Sequence, residues 1–372
     1  MSNMNIKSAF EQYFKDDKVK NLKPFQERVI SEVSSGISTI AIMPTGGGKS
    51  LIYWMSAKLL GGICLVVSPL TALIDEQCAR LVDKGFKAYA LHHDVPQKQQ
   101  SEILRGLVKN ETKIDFLFVS PERLATDVFF EYCIFERRKD IKLVVVDECH
   151  CISQWGEKFR PFYKDIPVFL DNVFGDEWPV ILGLTATINP KELEDIQEEF
   201  RIKSVQKSDC NLRPEIGIHV EKFLDENEKE DRLWDLLSQN DSKTIIYLYR
   251  KRGERSVEDL DEKAKEKKFS SAFFHADLKS KEKEDVIRRF RMGEIKFLFT
   301  TNAFGMGMDI PDIRRVIHYM MPESIEQFYQ EIGRAGRDDK QVDSFLLYTE
   351  KNVSVIQHHY IEKSFPNVNA IK

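Results

Sequence analysis

The chain has 372 residues, of which 42% are hydrophobic and 31% charged, and its formal net charge is −5. This size and balance suit two soluble domains and exclude a disordered chain or one that coats nucleic acid by bulk positive charge. No apolar run approaches the ~18–20 residues that span a bilayer, the N-terminus holds no apolar signal core, and the six cysteines form no CxxC pair, so we expect an intracellular protein with no membrane contact, disulfide framework or zinc.

Short apolar runs alternate with polar, helix-length segments. "ISTIAIM" (37–43), "ICLVV" (63–67), "IDFLFV" (114–119), "IKLVVV" (141–146) and "VILGL" (180–184) read as buried strands. Such alternation predicts a parallel sheet covered by helices, with the site beyond the C-terminal strand ends. A polar seam follows at about 203–220, and the pattern restarts with "KTIIYL" (243–248), "SAFFH" (271–275), "KFLFT" (296–300), "RVIHY" (315–319) and "DSFLLY" (343–348). The fold class is therefore α/β: two tandem domains, 1–207 and 208–372, each a mostly parallel sheet covered by helices, with a cleft between them. The run "EDLDEKAKEKK" (258–268) reads as a solvated helix face.

Three stretches carry chemistry. "AIMPTGGGKS" (41–50) follows a strand and precedes an apolar helix. Its glycines, Gly46, Gly47 and Gly48, let backbone N–H groups approach an anion at a helix N-terminus. Lys49 would reach the β- and γ-phosphates of ATP and Ser50 would ligate Mg²⁺. The usual first glycine is absent, since Met43 stands there, and a tight strand–helix turn is the competing reading. "IKLVVVDECH" (141–150) ends a strand in two carboxylates; Asp147 suits the metal and Glu148 the attacking water. "QEIGRAGRDD" (330–339) carries Arg334 and Arg337 spaced by small residues, which suits an arginine finger or, alternatively, a helix cap with solvated arginines.

In that order these pieces resemble the superfamily-two helicases, and among them the RecQ family of DNA helicases, from about residue 20 to 350. The resemblance is carried by "LKPFQ" (22–26), "MPTGGGKS" (43–50), "SPLTALIDEQ" (68–77), "SPERL" (120–124), "DECHCISQWGEKFRPFY" (147–163), "LTAT" (184–187), "TTNAFGMGMDIP" (300–311) and "QEIGRAGRD" (330–338). It implies two RecA-like domains with ATP and Mg²⁺ in the cleft and 3′-to-5′ movement on single-stranded or tailed duplex DNA. The proline–threonine–glycine form of the loop is usual there, which brings in Thr45 and removes the objection from Met43. Gln26, with Lys23 nearby, would recognise adenine. Ser68, Pro69, Ser120, Pro121 and Arg123 would lie along the DNA track. In the loop after the acidic pair, Trp155 and Phe159 offer faces for bases and Arg160 adds charge; a buried aromatic cluster is the alternative. Thr185 and Thr187 would couple nucleotide state to domain movement, with His150 and Gln330 bridging the domains. Gly305 and Asp309 would line the second-domain wall. Arg337 is the expected finger, supported by Arg334.

Several positions depart from the RecQ pattern. Glu157 stands where histidine is usual, Cys149 replaces alanine, Val19 replaces a stacking aromatic and Lys23 an arginine, and "YLYRKR" (247–252) lacks the usual cysteine and serine. No cysteine cluster follows "LLYTE", so the zinc-binding and winged-helix modules are not expected and strong unwinding is in doubt. This leaves two further readings: an RNA-dependent ATPase, or a sensor or clamp among protein partners in a larger assembly. His92-His93 and His358-His359 read as surface or capping residues, and "ECHC" (148–151) is too closely spaced for one metal ion.

Overall fold

The computed structural model describes residues 5–15, 20–44, 46–69, 71–152, 161–208, 213–239, 241–304, 310, 312–336 and 340–356. Thr45, Trp155, Phe159, Arg160, Gly305, Asp309 and Arg337, with Val19, Glu157 and His358-His359, lie outside them. The chain divides into two compact units, Met1–Asn211 and Leu212–Lys372.

The first unit is built on strands β1 (Thr39–Ile42), β2 (Ile63–Val67), β3 (Ala88–Leu91), β4 (Phe116–Val119), β5 (Ile141–Asp147), β6 (Val180–Thr185) and β7 (Ser204–Lys207). They lie in the order β3-β4-β2-β5-β6-β1-β7, and every pairing is parallel. Successive side chains point to opposite faces of a strand. Ile40, Leu65, Val67, Leu117, Val144 and Val146 accordingly enter one core, while Ala41, Cys64, Val66, Phe116, Leu143 and Val145 enter the other. Burial on both faces is why these strands are apolar throughout.

The second unit repeats the plan with β8 (Ile216–Lys222), β9 (Thr244–Tyr247), β10 (Ser271–Phe274), β11 (Phe297–Thr300), β12 (Arg315–His318) and β13 (Val342–Tyr348). Their order is β10-β11-β9-β12-β13-β8, again parallel throughout. Ile246 and Phe299 face one core and Ile245 and Leu298 the other. Both units are thus RecA-like in plan. No helix among the described residues is long and apolar enough to cross a membrane.

Two expectations need correction. The seam at 203–220 contains two strands, β7 and β8. Both lie at sheet edges and are largely part-exposed, so neither shows an apolar run. The charged segment 258–268 is not wholly solvated: within the helix Val257–Glu266, Asp261 is only 1% exposed and accepts from Ser271 Oγ at 2.6 Å and Lys265 Nζ at 2.6 Å. Of the two roles expected for His92, surface or capping, the structure shows the second: it is buried, and its Nδ1 accepts from Asp94 N at 3.3 Å. Its Nε2 lies 2.9 Å from Asp75 Oδ1, a partner from a helix upstream that spacing within the loop does not reveal.

Gly183 on β6 is what lets the turn after β5 sit against the sheet. A Cβ there would lie 3.3 Å from Cys149 Sγ and 3.3 Å from Ile40 Cγ1. Gly183→Val should therefore cost about 1–3 kcal/mol by overpacking and displace the residues beside Cys149. A urea midpoint lowered with unchanged slope would show the first effect; an unchanged midpoint would show that the turn has room.

Candidate active site

The glycine-rich loop leaves β1 at its C-terminal end and enters the helix Lys49–Leu60 through Gly48, whose φ of 88° is left-handed. A Cβ on Gly48 would stand 2.5 Å from Gln26 Nε2, and one on Gly47 would stand 2.8 Å from Pro44 O. The loop is thus a cradle that only glycine fills, which fits close approach of an anion to backbone N–H groups. Met43 is 2% exposed and belongs to the core, which explains a hydrophobic residue where glycine is usual.

Gln26 reaches this loop from the helix Pro24–Ser34. Its Nε2 donates to Gly47 O at 3.1 Å and Gly48 O at 3.3 Å, and its Oε1 accepts from Lys23 N at 2.9 Å. The amide is engaged with the protein's own backbone, so reading adenine would require it to exchange these partners. The arrangement ties the loop to Lys23, a connection spacing does not disclose.

Opposite the loop, β5 ends at Asp147, and the chain turns sharply at Glu148, whose φ is 50°. A non-glycine residue held there is strained by about 1–3 kcal/mol, a feature that clusters at functional sites. The strain goes with Glu148 Oε1 lying 2.7 Å from Lys49 Nζ. Asp147 Oδ2 accepts from Ser68 Oγ at 3.3 Å, and Asp147 O accepts from Tyr163 OH at 2.8 Å. Two carboxylates therefore share one ammonium. Burial pushes Asp147 up to about 6, Glu148 adds repulsion, and Lys49 opposes both. Burial also disfavours the Lys49 ammonium, but Glu148 and Asp147 more than offset this and its pKa lies above normal. Oxygen donors carrying uncompensated negative charge suit a hard divalent cation.

His150 stands behind Glu148. Its Nδ1 lies 3.0 Å from Thr185 Oγ1 and 3.4 Å from Glu148 Oε2. Thr185 Oγ1 donates to Thr187 O at 2.7 Å, so its one proton is committed and His150 Nδ1 must be the donor in their contact. Burial, partly countered by Glu148, lowers the His150 pKa and keeps the ring neutral. A chain of contacts thus runs from the carboxylate through His150 to the backbone after β6.

The residues expected along the nucleic-acid track have the following surroundings. Ser68 is 3% exposed, and its hydroxyl serves Asp147. Ser120 and Pro121 are buried at the start of the helix Pro121–Thr126, and Pro69 is buried. Arg123 donates to Gln100 Oε1 and pairs with Asp127 Oδ2 at 2.9 Å; burial lowers its pKa. In the second unit, Gln330 lies on the helix Ile325–Ile332 and Arg334 in the turn after it. Sequence reading missed the hydroxyls of Ser68 and Tyr163 on Asp147; only the nearness of Tyr163 to the acidic motif offered a signal.

Comparison with known proteins agrees with this geometry. Residues 23–196 match the DEAD/DEAH box helicase family, and residues 228–339 match the helicase conserved C-terminal domain. The chain is 36% identical over 329 residues to the "Probable ATP-dependent DNA helicase RecS" of Bacillus subtilis (strain 168), covering 88% of this chain and 64% of that one. It is 33% identical over 339 residues to the "ATP-dependent DNA helicase RecQ" of Haemophilus influenzae, covering 91% and 53%. Among solved structures, DEAD-box helicase Mss116 bound to ssRNA and UDP-BeF superposes with a TM-score of 0.73 at 16% identity, covering 99% of this chain and 81% of that one. A phosphate cradle and an acidic strand end on one parallel sheet, followed by a second parallel sheet, fit the two helicase domain models that match the chain. Over 88–91% of its length the chain is thus similar to helicases named RecS and RecQ. It spans 64% and 53% of the two curated relatives' lengths.

The raised Asp147 pKa sets a sign for stability. The folded protein holds this proton more tightly than the open chain, whose value is 3.8. Folding stability therefore falls as pH rises from about 4 to 6, and the full cost stays above 6. In nucleotide-free protein with EDTA, Asp147→Asn should raise the Tm at pH 7.5, and the gain should shrink below pH 6 and vanish near pH 4. A Tm gain independent of pH would contradict the burial argument.

Proposed function

We propose that the chain is the motor core of an ATP- and Mg²⁺-dependent DNA helicase or translocase, acting inside the cell on single-stranded or tailed duplex DNA in the 3′-to-5′ direction. The observation that carries this reading is the 2.7 Å pair between Lys49 and Glu148. It joins the phosphate cradle to the acidic strand end and holds the base in reserve. When a triphosphate enters, Lys49 exchanges Glu148 for phosphate oxygens, and Glu148 is released to accept a proton from the attacking water as oxygen adds to the γ-phosphorus and ADP leaves. Ser50 and Asp147 would hold Mg²⁺, which offsets phosphate charge when bound.

Arg337, supported by Arg334, supplies positive charge to the transferred phosphoryl group, a contribution of about 10³–10⁵ in rate. Loss of the contacts around Glu148 passes through His150 to Thr185 and Thr187. Thr45, Gly305 and Asp309 complete the nucleotide's surroundings, and Gln330 joins His150 in linking the units. Trp155 and Phe159 stack on bases with Arg160 beside them, at about 1–3 kcal/mol per base. DNA is favoured over RNA because the relatives at 33–36% identity are named as DNA helicases, whereas the RNA-bound neighbour is 16% identical.

Lys49→Ala should abolish nucleotide binding and hydrolysis together. Glu148→Gln should lower kcat by about 10²–10⁴ while nucleotide still binds. Full DNA-stimulated hydrolysis in either variant would refute the assignment. Trp155→Ala should remove most stimulation by single-stranded DNA but leave basal hydrolysis. Comparing stimulation by single-stranded DNA and RNA, and strand separation on a 3′-tailed duplex, tests the substrate; stronger stimulation by RNA, or hydrolysis without strand separation, would replace the DNA motor with an RNA-dependent ATPase or a clamp.

A further inference from the structure

The second unit contains an arginine that no motif singles out. Arg213 precedes Pro214, which biases its backbone to an extended conformation, and the chain enters β8 at Ile216. Its Nη1 donates to Ala335 O at 2.8 Å, and its Nη2 donates to Gly336 O. These carbonyls belong to the two residues that separate Arg334 from Arg337. The Arg213 side chain is 12% exposed, with Glu215 Oε2 3.6 Å from its Nε.

The turn it grips has little freedom. Gly336 has φ +62°, and a Cβ there would stand 2.6 Å from Val342 Cγ2, 2.9 Å from Lys340 O and 3.2 Å from Arg213 Nη2. Gly336 N donates to Ile313 O at 3.0 Å. Two guanidinium nitrogens on successive carbonyls fix the orientation of the turn, as a lysine, with its single ammonium, would not.

We propose that Arg213 is a positioning residue for hydrolysis, clamping the Ala335–Gly336 turn that separates the two arginines assigned above to the transferred phosphoryl group. This rests on the reading of those two arginines given above. Its effect passes through the two carbonyl oxygens it holds. Small misplacements of catalytic groups cost rate steeply, about 10²-fold for 1 Å, so the clamp should be visible in kcat.

The test uses the full chain with Arg213→Ala, Arg213→Lys, Arg337→Ala and the double variant Arg213→Ala/Arg337→Ala. Three quantities are read: affinity for fluorescent ADP, kcat for hydrolysis with saturating single-stranded DNA, and capture of ADP–aluminium fluoride. Arg213→Ala should keep ADP affinity, lose about 10–10²-fold in kcat and lose capture of the analogue, with Arg213→Lys intermediate. The double variant should fall only slightly below Arg337→Ala alone, well short of additive losses, since the clamp acts only through the two arginines and Arg334 alone is then left to it. If Arg213→Ala does not fold, Arg213→Lys and Gly336→Ala carry the test with the same pattern. Normal kcat in the Arg213 variants beside a crippled Arg337→Ala would overturn the clamp alone, as would fully additive losses. Normal kcat in Arg337→Ala would overturn the arginine reading and the clamp with it.

Discussion

One ammonium, Lys49, stands between two adjacent carboxylates that it cannot both neutralise. Asp147 and Glu148 are consecutive residues at the end of β5, and the protein places them side by side at the cost of mutual repulsion, partial desolvation and left-handed backbone at Glu148. The surroundings are organised around that cost. Ser68 and Tyr163 hold Asp147 through its side chain and carbonyl. Gly183 makes room for Cys149, and His150 stays neutral against Thr185. A site strained in this way gains from accepting a cation, and the order of events follows from the imbalance.

The apolar strands were legible because burial on both faces leaves one kind of sequence. "ICLVV" is β2 to the residue, and "IKLVVV" is β5 short of its terminal aspartate. Of the edge strands, β10 was read as "SAFFH", but the other three were not: β3 reads "AYAL", β7 is mostly polar and β8 mixes apolar with polar residues, because a strand with one open side needs no apolar run. At the site, residue types and spacing pointed to phosphate and metal chemistry, but no spacing rule joins Lys49 to Glu148, 99 residues apart, or Gln26 to the loop 21 residues on. Arg213 was invisible for the same reason: its partners lie more than 120 residues away.

In the second unit a buried polar network holds the helix that precedes Arg334. His318, at the end of β12, lies 2.8 Å from Glu331 Oε2, and both are buried. Gln327 donates to the other oxygen of Glu331 at 2.9 Å, and Tyr247 and Phe328 flank the His318 ring. Buried hydrogen bonds favour the packing that keeps them, although His318 Nδ1 is buried without a hydrogen-bond partner among the described residues. Here the selected packing sets the angle at which the helix Ile325–Ile332 leaves the sheet, and with it where Arg334 stands.

The strand order of the first unit also bears on biosynthesis. β1 carries the glycine-rich loop, yet it pairs only with β6 and β7, which leave the ribosome some 140 to 165 residues later. Contacts this distant in the chain close slowly. A nascent chain therefore presents the strand that carries the phosphate cradle before either of its sheet neighbours exists, and the seat of that strand in the sheet is complete only once β6 and β7 have been made.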